Sequence, residues 1–158
     1  MRNEVVVVAA VVLAGLIGLM FFLKTKDHRL PLEQSTTDLD RASSLIREDF
    51  AKASGSAKVA VAEYYVSLGK MPQSNAEAGL PAPNEYRGQT LKSVSVAADG
   101  IDFVFDANSG YDNGRIRLVA DLSHANAMGV QWRCETSDYP QIARVLSACI
   151  YTNATIAQ

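Results

Sequence analysis

Apolar residues follow three different rhythms along this chain, and each rhythm predicts a different element. From Val5 to Leu23 there is no rhythm at all, because nineteen consecutive residues, VVVVAAVVLAGLIGLMFFL, carry no charge. As a helix rising 1.5 Å per residue this run would be about 28 Å long, close to the thickness of a bilayer's hydrocarbon core, so it predicts one membrane span. A cleavable signal peptide would want a shorter apolar region and a small-x-small site, whereas Phe21, Phe22, Leu23 and Lys24 close this one. Inside the run, Gly15 and Gly18 are the positions where a second helix could pack closely.

The second rhythm is helical. Leu39, Ala42, Ile46, Phe50, Ala53, Ala57, Val61, Tyr64 and Leu68 are spaced by threes and fours and form one stripe of a long amphipathic helix. Ser35, Thr36 and Thr37 offer caps for its start, and Asp38 favours its first turn. Its middle, Ala53 to Ala57, is built of small residues that permit close approach of a neighbouring element. Tyr64 reads as core and Tyr65 as helix edge. Gly69 ends the helix and Pro72 prevents its resumption. Between the apolar run and this helix lies a polar stretch containing Pro31, which predicts a break or hinge. The expected organisation is therefore an anchor over 1–24, a linker over 25–34 and one globular domain over 35–158.

The third rhythm has period two. Leu91, Val94 and Val96 border a first strand, and Asp99-Gly100 reads as the turn into Ile101, Phe103 and Phe105. After Asp112-Asn113-Gly114, a second turn, Ile116, Leu118 and Ala120 share one face, and Val130, Trp132 and Cys134 form a last alternating run. The class predicted is α+β, with the long helix covering one face of a four-stranded antiparallel sheet. Ile142, Val145 and Leu146 suggest a short helical turn after the sheet.

Composition narrows the function. Fifteen basic against seventeen acidic residues give a net charge of -2, which supplies no general attraction for nucleic acid. Lys52, Lys58, Lys70, Arg87, Lys92, Arg115, Arg117, Arg133 and Arg144 could still gather on one face, so DNA capture is a second reading. Cys134 and Cys149 are the only cysteines, and His28 and His124 are not at ligand spacing to them, so the pair reads as a disulfide rather than a zinc site. Lys24, Lys26 and Arg29 after the span, with only Arg2 before it, would by charge alone leave the domain in the cytoplasm. The cysteine pair argues for an oxidising exterior, and that reading is preferred. No nucleophile elbow, zinc-protease helix, phosphate loop or calcium loop is written in the chain, so neither enzyme activity nor a metal or cofactor is expected, and His124 reads as a turn residue. Asn153-Ala154-Thr155 fits a short glycosylation sequon.

An anchor, a long helix, a loop, a sheet and a cysteine-closed tail, in that order, resemble the type IV pilins of Gram-negative bacteria. The local match is the run AKASGSAKVAVAEYYVSLGKMPQSNAEAGLP, Ala51 to Pro81, which is similar to the place where the pilin helix finishes and its αβ loop begins. QWRC before a second cysteine resembles the pilin strand and disulfide-closed D-region. The resemblance implies a structural subunit in the bacterial inner membrane, its carboxy-terminal domain in the periplasm, assembled with like subunits, other pilins and the pilus machinery in adhesion or motility. It also admits a non-polymerising modulator of assembly or a displayed binding module. By the same resemblance Glu4 would pair with the terminal amine of a neighbouring subunit. The start MRNEVVVV differs from the family's Gly-Phe processing junction, and KTKDHR places charges just after the span.

Overall fold

The computed structural model describes residues 31–152. The expected membrane span, with Glu4, Gly15 and Gly18, and the sequon at 153–155 lie outside them. Among the described residues no helix is long and apolar enough to cross a membrane. The chain divides into two units, Met1–Asp38 and Leu39–Gln158, and apart from the start of the long helix the fold below is that of the second.

Helix α1 spans Pro31–Leu68. It takes in residues 31–34, which the sequence pattern assigned to the linker. The predicted stripe forms over its middle: Ala42, Ile46, Phe50, Ala53, Ala57 and Val61 are buried. Its ends differ from expectation. Leu39 and Leu68 are exposed, and beyond Val61 the buried face passes to Tyr65, which packs on the core, while Tyr64 reaches out to Glu77. The two tyrosines thus exchange the roles their spacing suggested, because positions three and four residues on straddle a face that turns every 3.6 residues. Of the small residues, Ala53, Ser54 and Ala57 face the sheet, but Gly55 is exposed, with open space where a Cβ would stand.

The sheet has five strands, β1 (Leu91–Ala97), β2 (Gly100–Phe105), β3 (Arg115–Asp121), β4 (Gln131–Thr136) and β5 (Cys149–Tyr151), in sequence order across the sheet. The first four are antiparallel neighbours as expected; β5 corrects the four-stranded prediction, and it runs parallel to β4. At three residues it is too short to show a period of two. The first hairpin also differs by one position. Ala97 pairs with Gly100, so Ala98 and Asp99 form the loop and Gly100 belongs to β2, where a Cβ would run into the Leu118 carbonyl oxygen. At the second turn Asn113 has φ 60°, the left-handed conformation that asparagine tolerates best after glycine.

One face of the sheet makes the core. Val94, Val96, Ile101, Phe103, Phe105, Ile116, Leu118 and Cys134 are buried against the helix stripe, and Phe50 meets Phe103 edge to face with ring centroids 4.9 Å apart. Ala57 lies fully buried among them, which lets the helix backbone come close to the bulky strands. After β4 the chain forms the short helix α3 (Ile142–Val145), a counterpart of α2 (Ala125–Met128) before β4, and Ile142 fills the core from the place the sequence assigned it.

Candidate assembly surface

The two cysteines singled out in the sequence are brought together. Cys134 and Cys149 are direct register partners on β4 and β5, with Cα atoms 4.4 Å apart, and they form a disulfide. The bond closes the segment that carries α3 and fastens the last strand to the sheet. Thr152 adds a backbone N–H donated to the Thr136 carbonyl at 2.8 Å.

On this closed segment stands Tyr139, buried, its ring edge to face with both Phe105 and Tyr111. Its hydroxyl lies 2.7 Å from Ser109 Oγ. Burial, against the Ser109 hydrogen bond and aided by the carboxylates of Asp138 and Asp106, pushes its phenol up to about 12, so it is a neutral hydrogen-bonding group at any physiological pH. Gly114 allows this placement, since a Cβ there would collide with the Tyr139 hydroxyl. Tyr139 and Ile142 form one wall of an open groove of about 170 Å³, Ser109 and Tyr111 a second, and Leu39, Ala42 and Ile46 of α1 a third. Leu39 and Tyr111 are 59 % and 48 % exposed, so the groove presents apolar surface to solvent.

Two buried polar residues hold the surrounding frame and were missed by sequence reasoning. Asp49 lies on the buried side of α1 and accepts four hydrogen bonds from the entry to β1: Thr90 N–H (2.7 Å), Thr90 hydroxyl (2.8 Å), Leu91 N–H (3.0 Å) and Gln89 N–H (3.2 Å). Burial acts to raise its carboxyl, but these donors outweigh it and hold the group below its ordinary value. Gly88 makes room, because a Cβ there would overlap the Asp49 carboxylate. Asn75, in the loop after α1, acts as a substitute strand on the free edge of β1: its amide donates to the carbonyls of Pro81 (2.7 Å) and Val94 (2.9 Å) and accepts from Val96 N–H (2.7 Å). The signal for Asp49 was a carboxylate three residues from Ile46 and next to Phe50, inside an apolar stripe; a lone asparagine in a proline-rich loop gives no signal.

Two of the basic residues on the sheet stand close to carboxylates. Arg117 pairs with Asp99 at 2.5 Å and lies 3.9 Å from Asp102, and Arg133 lies 3.9 Å from Glu135. His124 sits in an exposed turn with Ser123 Oγ 2.9 Å from its Nδ1, and Ser123 also donates to Asp121 at 2.6 Å. The serine is thus in the middle of the three, whereas a nucleophilic triad needs the imidazole between serine and carboxylate.

Residues 48–150 match the pilin family of bacterial filament proteins, which covers the helix from Glu48 onward, the loop, the sheet and the disulfide-closed segment just described. The chain belongs to that family, the type IV pilins, and is a pilin-like structural protein; the family is structural and non-enzymatic. Among curated proteins none matches the chain.

Proposed function

We propose that this chain is a membrane-anchored pilin subunit whose apolar amino-terminal segment holds it in the bacterial inner membrane and whose head is displayed in the periplasm, where it assembles with like subunits through the pilus machinery into a surface filament. The observation that carries this reading is the family match over a head whose final strand is fastened by a disulfide. A disulfide persists in an oxidising compartment, which outweighs the positive charges that follow the apolar run. The carboxy-terminal apolar groove supports the assembly part of the reading, since exposed apolar surface rimmed by polar residues is the usual mark of a contact site. Glu4 is proposed as the group that meets a neighbouring subunit's amino terminus, and Gly15 and Gly18 as the close-packing positions of the span. Shearing of intact cells tests the proposal. The chain is expected in the sheared surface fraction; its confinement to the inner membrane would leave only a non-polymerising modulator, and a cytosolic head would overturn the reading.

A further inference from the structure

The β1–β2 ladder changes register between Leu91 and Ser93, so Lys92 is an extra residue at a β-bulge. Bulges of this kind re-aim a side chain. Here the bulge is fixed by the Arg87 guanidinium, which donates to the Lys92 carbonyl at 2.8 Å, and the Lys92 ammonium donates to the side-chain carbonyl Oδ1 of Asn113 at 2.6 Å. Asn113 is exposed, precedes Gly114, and is the single non-glycine residue with positive φ among the described residues. Its amide NH2 donates in turn to Asp112 Oδ2 at 3.1 Å.

We infer that Asn113-Gly114 is a self-modifying site, in which Lys92 prepares the Asn113 amide for loss of ammonia. A cation on the carbonyl oxygen withdraws electrons from Cγ and stabilises the oxyanion that forms when a nucleophile adds there. The nucleophile is the backbone nitrogen of Gly114. It carries no side chain of its own, and although Gly114 is buried beside Tyr139 and Tyr111, its nitrogen is freed when the turn opens and breaks the bond that Gly114 N–H donates to the Tyr111 carbonyl at 3.0 Å. The new bond joins Gly114 N to Asn113 Cγ and the bond broken is that from Cγ to the amide nitrogen. Ammonia leaves with the two amide hydrogens and the proton of the Gly114 nitrogen. Water then opens the five-membered imide: addition at Cγ gives aspartate, and addition at the main-chain carbonyl gives the β-linked isomer. The net change is amide plus water to carboxylate plus ammonia.

The product stands beside Tyr139 and Tyr111, two residues of the groove wall. A carboxylate at 113 turns the Lys92 hydrogen bond into an ion pair, and the β-linked isomer lengthens the backbone beside Gly114, whose carbonyl accepts Phe105 N–H at 2.8 Å and whose α-carbon faces the Tyr139 hydroxyl. The modification thus marks the age of a subunit on the surface that carries Tyr111.

Folded full-length protein, incubated in mildly alkaline buffer and digested with trypsin, tests this on a single peptide. Cleavage releases Ser93 to Arg115 from the wild type and Gly88 to Arg115 from Lys92→Met, which has no cleavage site at residue 92, and both peptides hold Asn108, another exposed asparagine, as an internal reference. Asn113 is expected to convert to a mixture of aspartate and its β-linked isomer about tenfold faster than Asn108, and Lys92→Met is expected to slow it several-fold, the effect of losing one charge-assisted hydrogen bond. Raising the salt concentration, which leaves the sequence untouched, is expected to slow the wild-type conversion in the same direction. Equal rates at the two asparagines, an unmodified Asn113, or a Lys92→Met protein that converts at the wild-type rate would each overturn the inference, as would a direct Lys92–Asn113 cross-link.

Discussion

A charged side chain inside an apolar stripe is the residue on which the head's geometry turns. Asp49 accepts four hydrogen bonds from groups at the transition from loop to β1. Asp49→Asn keeps the shape but sets an NH2 group against N–H donors, and should cost about 2 kcal/mol in denaturant unfolding, the worth of hydrogen bonds to a charged acceptor. The pH dependence follows from the direction of the shift. A carboxyl lowered on folding contributes stability that is fully present above its unfolded value of about 4 and is lost as pH falls through the lower folded value. Wild-type stability is therefore predicted to decline on acidification below about pH 4 more steeply than that of Asp49→Asn; parallel declines would show that other carboxylates carry the effect. Gly55 offers the opposite test. It lies in a helix interior, faces solvent, has no positive φ and leaves open space at Cβ, so Gly55→Ala should stabilise the head by about 0.5–1 kcal/mol. Loss of stability there would mean that Gly55 meets a neighbour in the isolated protein.

At the scale of elements, the disulfide does what a three-residue strand cannot do by pairing alone. The sequence separation of the cysteines is 15, for which the loop-closure estimate is about 3 kcal/mol. Replacing both cysteines by serine should lower stability by about that amount, and should first free β5 and α3, read as rapid hydrogen exchange at Ile150 and Leu146 while β2 and β3 stay protected. Uniform loss of protection would contradict a locally held segment. This is also where reading from sequence reached its limit. The long helix and the four antiparallel strands were visible because each keeps its period over six or more residues against a single buried face. Strand β5 keeps no period, and its partner β4 is set by topology and the disulfide. The loop of the first hairpin was misplaced by one residue because Asp-Gly signals a turn wherever it occurs, whereas Gly100 is needed here for the close approach of the Leu118 carbonyl. The cysteine pair was legible from composition; Asp49 and Asn75, whose partners stand 40 and 19 residues away, were not.

In the whole molecule, the residues that fold the head are distinct from the exposed ones proposed to assemble it. The stripe, the sheet and the disulfide close the core without help from Leu39, which remains exposed at the groove, while Tyr111, also exposed there, packs edge to face on the buried Tyr139. Leu39→Ser should change head stability by less than about 1 kcal/mol while reducing the chain recovered in sheared filaments. Unchanged recovery would move the assembly contact elsewhere on the head. The stock of paired charges on the sheet predicts little dependence of any such contact on Arg117 or Arg133.

The most direct measurement is the intact mass of the protein taken from cells whose thiols were alkylated before lysis. The account predicts a single species with no alkyl group at Cys134 or Cys149, as expected of a head closed by its disulfide outside the cytoplasm. Two alkylated cysteines would contradict it.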